Sequence, residues 1–260
     1  MKYGFIGCGN MGGAVAKALS RATKSIYVSD RSGKARILAE ELGIEYSTNE
    51  IIAAECERIF IAVKPHMVED TLKPLRPMLE EKKPLLVSMA AGIEIKKIEK
   101  YAGTELPVIR IMPNTPTAVS KGIVAYCCNE LVDENLLNDW LSDMRFCGLV
   151  DPIEERLMDA VSALSGSGPA YMYMMIEALA EGAVTCGIPW DKAMAYAAMT
   201  MSGSAEMYLE TRQHPAALKD AVCSPGGSTI VGLRKLEKNG FRAALMDCLI
   251  SVYKKNKELG

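Results

Sequence analysis

The sequence predicts an α/β chain in which an N-terminal Rossmann domain, a doubly wound and mostly parallel sheet, precedes an all-α C-terminal domain. Three observations predict it. The spacing Gly7-Cys8-Gly9-Asn10-Met11-Gly12 follows an apolar run over 2–7 and opens an alanine-rich stretch, the setting in which Gly-x-Gly-x-x-Gly carries meaning. Short apolar runs then alternate with helix-period segments, as parallel strands covered on both faces do. After about Glu154 no β-rich run bounded by turns remains. The boundary is placed accordingly: 1–152 for the dinucleotide-binding domain, 153–260 for the helical one.

Taken in order, the first strand (2–7) runs into the glycine turn. "SIYVSD" (25–30) is a second strand, and "KARILAEELG" (34–43) is a helix stopped by Gly43. "RIFIAV" (58–63) and "LLVSMA" (85–90) are strands separated by helical patterns around 66–80. "PVIRIMP" (107–113) and "GIVAYCC" (122–128) complete the sheet. Helices are expected over 154–164, 169–186, 190–211, 215–222, 229–238 and 241–257. Their breaks fall at Ser165-Gly166-Ser167-Gly168, Gly187-Ile188-Pro189, His214-Pro215, Ser224-Pro225-Gly226-Gly227 and Asn239-Gly240. Gly187 past one helix end and Pro189 near the next start follow the usual asymmetry. "YMYMMIEALAEGAVTCG" and "AMAYAAMTMSGSAEMYLE" are apolar on more than one face. A helix of that kind is buried or lies at an interface, and a half-chain this small cannot cover so much apolar surface alone. The helices are therefore expected to pack against a second copy of the chain.

Composition narrows the function. The net charge is −2, with 30 basic against 32 acidic residues, so no basic field attracts nucleic acid. No signal peptide and no membrane-length apolar run is read, which predicts a cytoplasmic protein. Eight scattered cysteines without a CxxC pair suggest free thiols in a reducing compartment, not a metal or redox site. Only His66 and His214 are available to any histidine-dependent chemistry, and neither sits in a hydrolase or metal motif.

The glycine loop sets the cofactor end. Gly7 allows the tight turn, Gly9 lets backbone approach a pyrophosphate, and Gly12 allows helix-on-strand packing. Asn10 and Met11 sit at the helix N-terminus, whose free N–H groups and dipole favour an anion. The second strand ends Ser29-Asp30-Arg31-Ser32. An acidic residue there suits the ribose of NAD, whereas Arg31 flanked by Ser29 and Ser32 suits the 2′-phosphate of NADP. NADP is expected, with NAD tolerated. Ala62, Val63, Lys64 and Pro65 end another strand at the sheet's carboxyl edge, beside the cofactor. Lys64 is placed to reach a cofactor phosphate or ribose, the substrate, or only solvent. Asn114 and Thr115, between two prolines in "RIMPNTP", are expected to form a rigid polar turn facing the nicotinamide, and Met112 just before them is expected at the cofactor.

Two further loops combine hydroxyls with glycine at a helix start: Ser165-Gly166-Ser167-Gly168 and Gly226-Gly227-Ser228-Thr229. A simple N-cap explains each one alone. Together they suggest a cradle for a substrate carboxylate, by the physics that binds phosphate at helix N-termini.

Here the chain resembles the Δ1-pyrroline-5-carboxylate reductase family. The resemblance rests on "GFIGCGNMG", "AVKPH", "MPNTP", "SGSGPAY" and "HPAALKDAVCSPGGSTI", in the family's order along almost the whole length. It implies a Rossmann domain, an intertwined helical dimer that often forms a ring of five, and hydride transfer from NAD(P)H to a cyclic imine. It also implies that Ser228, Thr229 and the Gly226-Gly227 backbone hold the substrate carboxylate, that Thr229 reaches the ring nitrogen, and that Lys64 and Asn114 line the nicotinamide side. In some relatives an acidic residue just before the "QHP" stretch touches the substrate amine; here that place holds Arg212, with Glu210 two residues earlier. Reducing a protonated imine requires no metal, histidine or nucleophile, so positioning carries the chemistry.

Two rivals are weighed. A β-hydroxyacid dehydrogenase shares the layout but needs a lysine in the helix after the Ser/Gly loop, and Pro169–Gly187 contains none. A non-catalytic dinucleotide sensor would have no use for the Gly226–Thr229 loop.

Overall fold

The structure is a computed structural model, and it describes residues 1–259. The strands are β1 (Tyr3–Ile6), β2 (Ile26–Ser29), β3 (Glu45–Tyr46), β4 (Arg58–Ile61), β5 (Leu85–Ser88), β6 (Val108–Pro113), β7 (Gly122–Cys128) and β8 (Gly148–Pro152). They form one sheet in the order β3-β2-β1-β4-β5-β6-β7-β8. All neighbours pair in parallel except β6 and β7, so β7 and β8 run against the rest. Between the strands lie α1 (Asn10–Leu19), α2 (Lys34–Leu42), α3 (Asn49–Glu55), α4 (Val68–Leu72), α5 (Arg76–Lys82), α6 (Ile95–Ala102) and α7 (Glu134–Met144). Then follow α8 (Met158–Val161), α9 (Gly168–Thr185), α10 (Trp190–Thr211), α11 (Pro215–Ala221), α12 (Ser228–Lys238) and α13 (Phe241–Leu259).

Each apolar run singled out in the sequence before residue 130 forms a strand. The sequence reading missed β3, α3, α6, α7 and β8. It also treated 122–128 like the parallel strands before it. The connection over 114–121 holds only a single-turn helix (Thr115–Val119), too short for the crossover that a parallel neighbour requires, so β7 returns antiparallel. α3 opens with a side-chain cap, the Thr48 hydroxyl accepting from the Ile51 N–H. α7 does the same with Asp133 and the Leu136 N–H.

The sheet carries a core on each face. One side buries Val15, Leu19, Val28, Val87, Ile109 and Trp140. The other buries Ile6, Ile52, Ile61, Leu72, Leu86 and Ile98. Phe5 and Phe60 stack across β1 and β4 with ring centroids 4.4 Å apart, and Trp140 of α7 meets Tyr126 edge-on at 5.2 Å.

The chain divides into two compact units: residues 1–169 with the residues from Val252 onward, and Ala170–Ser251. The boundary expected at 152/153 coincides with the end of β8, but the division falls later. The reason is local packing. Met158 buries against Met112 and Ala125, and the Asn256 side chain donates to the Asp159 carbonyl at 3.1 Å, so both stretches remain with the sheet. The expected break over 165–168 is not a loop either. Ser162–Gly166 forms a π-turn, Ser167 keeps helical angles (φ −87°, ψ −22°), and the chain stays helical from Met158 into α9. Within Ala170–Ser251 the buried side chains are Ala180, Ala193 and Ala197.

Candidate functional site

The glycine loop joins β1 to α1 at the edge where β1, β4, β5 and β6 all end. Gly7 has φ +101°, and a Cβ there would come within 2.7 Å of the Ala62 backbone. A Cβ on Gly12 would come within 2.2 Å of the Gly7 carbonyl oxygen. Both glycines are required by the fold. Gly9 differs: a Cβ there would meet nothing within 4 Å. Its openness faces outward, and it is the N-cap of α1 with no side chain capping the first turn. Free N–H groups behind an unobstructed glycine are what a pyrophosphate needs. Asn10 is exposed and Met11 half-buried at the same end.

A cleft of about 520 Å³ opens beside this loop. Of the residues expected at the cofactor, Gly7, Gly9, Ser29, Arg31, Ser32, Ala62, Val63 and Lys64 line it. Sequence reasoning missed Thr48, Asn49 and His66, which line it too. The run Ser47-Thr48-Asn49-Glu50 is a helix-start signature that would have placed the first two. A second cleft of about 490 Å³ is lined by Pro65, His66, Glu69, Gly92, Tyr101 and Ser162. His66 therefore stands on the wall of both. A larger groove on α6 and the end of β7 contains none of the glycine-loop residues.

Hydrogen bonding refines several expectations. The Ser29 hydroxyl is buried and donates to the Asn49 side-chain oxygen at 2.6 Å. It braces the cleft wall and is not free for a phosphate. The Ser32 hydroxyl donates to Asp30 at 2.6 Å, and the Gly33 N–H donates to the same carboxylate at 3.0 Å. Burial pushes the Asp30 carboxyl up, but the Ser32 hydroxyl and the N–H groups of Ala35, Gly33 and Lys34 outweigh it and hold the carboxyl below its usual value. Asp30 is thus drawn onto the start of α2, while Arg31 is exposed. Lys64 is exposed where β4 ends.

Met112 is a correction. It is 6% exposed and packs with Ala125 and Met158, so it belongs to the core and not to the cofactor surface. Asn114 is another. It is equally buried; its amide donates to the Ser165 carbonyl at 3.1 Å and accepts from the Ile123 N–H at 2.8 Å. It braces the end of β6 rather than presenting its amide to a ligand. The Ser165 hydroxyl donates to the Val161 carbonyl at 3.0 Å, and the Ser167 N–H donates to the Ser162 carbonyl at 2.9 Å. Those groups are engaged in the π-turn, so the expected cradle of free N–H groups at 165–168 is not formed there. Gly166 is half-buried and Gly168 buried.

In the second loop the Gly227 N–H donates to the Ser224 carbonyl at 3.0 Å. Gly227 is the N-cap of α12, and the first turn of that helix has no side-chain cap. Gly226 has φ +70°, which favours glycine there, and a Cβ on Gly227 would come within 2.4 Å of the Ser224 hydroxyl and 3.1 Å of its carbonyl oxygen. Ser228 and Thr229 are exposed in the first helical turn. Thr229 is therefore not a helix cap, which removes the competing explanation for it. Arg212 ends α10 in the left-handed region (φ +54°), and Glu210 is exposed in the last turn. The His214 imidazole accepts from the Ala216 N–H at 3.2 Å and caps α11.

Burial pushes the thiols of Cys8, Cys56, Cys127 and Cys147 up to about 12, which leaves them unreactive. Among the described residues, no group of three or more His, Cys, Asp or Glu is placed to hold a metal, and no helix is long and apolar enough to cross a membrane.

The family described as pyrroline-5-carboxylate reductase dimerisation matches residues 155–259, and that described as NADP oxidoreductase coenzyme F420-dependent matches residues 2–92. The chain is 39% identical to the pyrroline-5-carboxylate reductase of Pisum sativum, over 98% of this chain and 95% of that one. It is 39% identical to that of Escherichia coli K12, over 99% and 98%. The solved Plasmodium falciparum pyrroline carboxylate reductase, with NADP bound, superposes with a TM-score of 0.88 at 34% identity, covering 100% of this chain and 98% of that one. With 39% identity to the Pisum sativum and Escherichia coli reductases over nearly the whole length of both chains, the chain belongs to the pyrroline-5-carboxylate reductase family.

Proposed function

We propose that the chain reduces 1-pyrroline-5-carboxylate to L-proline with NADPH, the last step of proline biosynthesis, and that NADH is a poorer donor. The observation that carries the cofactor half is Gly9: an open glycine at an uncapped helix N-terminus, in a cleft that Arg31 and Lys64 also line. When bound, NADPH supplies the hydride. The imine carbon accepts that hydride, the C=N π electrons pass to nitrogen, and the nitrogen holds its proton as the ring amine.

The chain's own groups position and exclude. The N–H groups of the first turn of α12 and the Ser228 hydroxyl, presented by the Gly226-Gly227 turn, hold the substrate carboxylate. The Thr229 hydroxyl meets the ring nitrogen. Lys64, at the end of β4, fixes the cofactor's ribose or phosphate. Holding donor and acceptor in reacting geometry is enough for a substrate that is already electrophilic.

The working form is a homodimer, built through the apolar faces of α9 and α10 and assembled as five dimers, in the cytoplasm. Residues 1–152 form the dinucleotide-binding domain and residues 153–260 the dimerisation and substrate-binding domain. The test is the fall of NADPH absorbance when the imine is added to purified protein. Turnover with proline as product is expected. Tight NADPH binding without turnover would favour a sensor over an enzyme.

A further inference from the structure

Asn114 is engaged for a reason that Pro169 explains. From Met158 to Thr185 the chain is helical with a π-turn at Ser162–Gly166. In a continuing helix the Ser165 carbonyl accepts from the N–H four residues on. That residue is Pro169, which has no N–H. The Ser165 backbone is buried, and an unsatisfied carbonyl there is costly. The Asn114 side chain supplies the missing donor at 3.1 Å, from the turn just after β6, over fifty residues earlier. Its oxygen accepts from Ile123 at the start of β7. One amide thus ties three places together: the carboxyl edge of the sheet, the β6–β7 turn and the π-turn. π-turns of this kind are common at functional sites.

We infer that Asn114 is a positioning residue: it replaces the hydrogen bond that Pro169 cannot make, and so fixes the Ser165–Gly168 backbone at the sheet edge where the imine is reduced. This rests on the reading of the chain as an imine reductase and on the expectation that the Ser165–Gly168 segment shapes the substrate end through its backbone path, not through free N–H groups. It does not require Asn114 to touch substrate or cofactor.

The test is a double-mutant cycle between Asn114→Ala and Pro169→Ala. Replacing Pro169 by alanine restores an N–H in helical register, so the Ser165 carbonyl regains a donor of its own. For Asn114→Ala alone, KM for the imine is expected to rise about tenfold, the scale of one buried carbonyl left unsatisfied. The dissociation constant for NADPH, read by its fluorescence, is expected to stay within about twofold of wild type. Pro169→Ala alone is expected to behave nearly as wild type. Adding it to Asn114→Ala is expected to recover most of the lost KM, with the remainder due to the unsatisfied Ile123 N–H. Melting temperatures on all four proteins, without substrate, follow the same cycle and do not depend on the reaction assigned. If the wild type fails to reduce the imine, the reductase reading falls while the thermal cycle still tests the Asn114–Pro169 link. The inference is overturned if the two substitutions are simply additive in both readouts. It is overturned equally if Asn114→Ala weakens NADPH as much as the imine, or lowers only the melting temperature with kinetics unchanged.

Discussion

The two compact units obey different packing rules. In residues 1–169, each face of the sheet is closed by the chain's own helices, and Val15, Leu19, Ile52 and Leu72 are wholly buried. In Ala170–Ser251, only three alanines are buried, while Met174 is 73% exposed, Met199 71%, Val231 61% and Met246 60%. Apolar surface of that extent on a single protomer marks an interface. The first unit is a self-sufficient framework for a cofactor. The second is half of something, and its exposed methionines and alanines are the complement of another copy's. The Gly226–Thr229 loop lies in this second unit, whereas Gly7–Gly12 lies in the first.

The largest expected effect comes from breaking that assembly. Replacing Met174 and Met199 together by lysine puts two charges into the proposed interface, where an uncompensated buried charge is prohibitive. Sedimentation is expected to show loss of the dimer and activity to disappear, while NADPH binding in the glycine-loop cleft survives. A variant that remains dimeric and active would show that α9 and α10 do not form the interface.

A sharper contrast lies within the glycine loop. Gly12→Ala drives a methyl onto the Gly7 carbonyl, and an overpacked or strained site of this kind costs about 1–3 kcal/mol; the melting temperature should fall together with cofactor affinity. Gly9→Ala meets no protein atom, so stability should hold while NADPH affinity drops. Equal loss of stability in both variants would mean that Gly9 serves the fold and not the ligand.

For the second loop, Thr229→Val is expected to lower kcat/KM about 10- to 150-fold, the range of a hydrogen bond to a charged group worth about 1.5–3 kcal/mol. Since Gly227 and not Thr229 caps α12, the melting temperature should barely move, and Thr229→Ser should keep most of the activity. Near-normal kinetics in Thr229→Val would remove it from the reaction.

The smallest expected effect is on cofactor choice. Arg31→Ala should lower the NADPH-to-NADH ratio of kcat/KM by a few-fold, because Arg31 is solvent-exposed and exposed ion pairs are weak. An unchanged ratio would mean that Arg31 does not read the 2′-phosphate.

The framework was legible in the sequence because its signals are local. A strand, a Gly-x-Gly-x-x-Gly turn and an apolar-periodic helix each announce themselves within about a dozen residues. β3, with two exposed residues, and β8, ending in Asp151-Pro152, carry no such signal; they form only because a neighbouring strand offers an edge. The same limit explains Met112 and Asn114. Their motif marks the right edge of the sheet, but whether a side chain turns toward a ligand or into the protein depends on Met158 and Ser165, which are distant in sequence. Ser165–Gly168 reads as a loop because glycine and serine usually break helices, whereas packing and the Asn114 amide carry the helix through it. Gly226–Thr229 was readable as a helix start because its glycines form the turn itself, with Gly227 as the N-cap of α12.

The most direct test follows a hydride. With NADPH deuterated at the transferring position, the purified protein and 1-pyrroline-5-carboxylate should yield L-proline carrying one deuterium at the former imine carbon, with none entering there from deuterated solvent. Proline labelled from solvent, or NADPH bound and left unoxidised, would contradict direct transfer to an imine held by this chain.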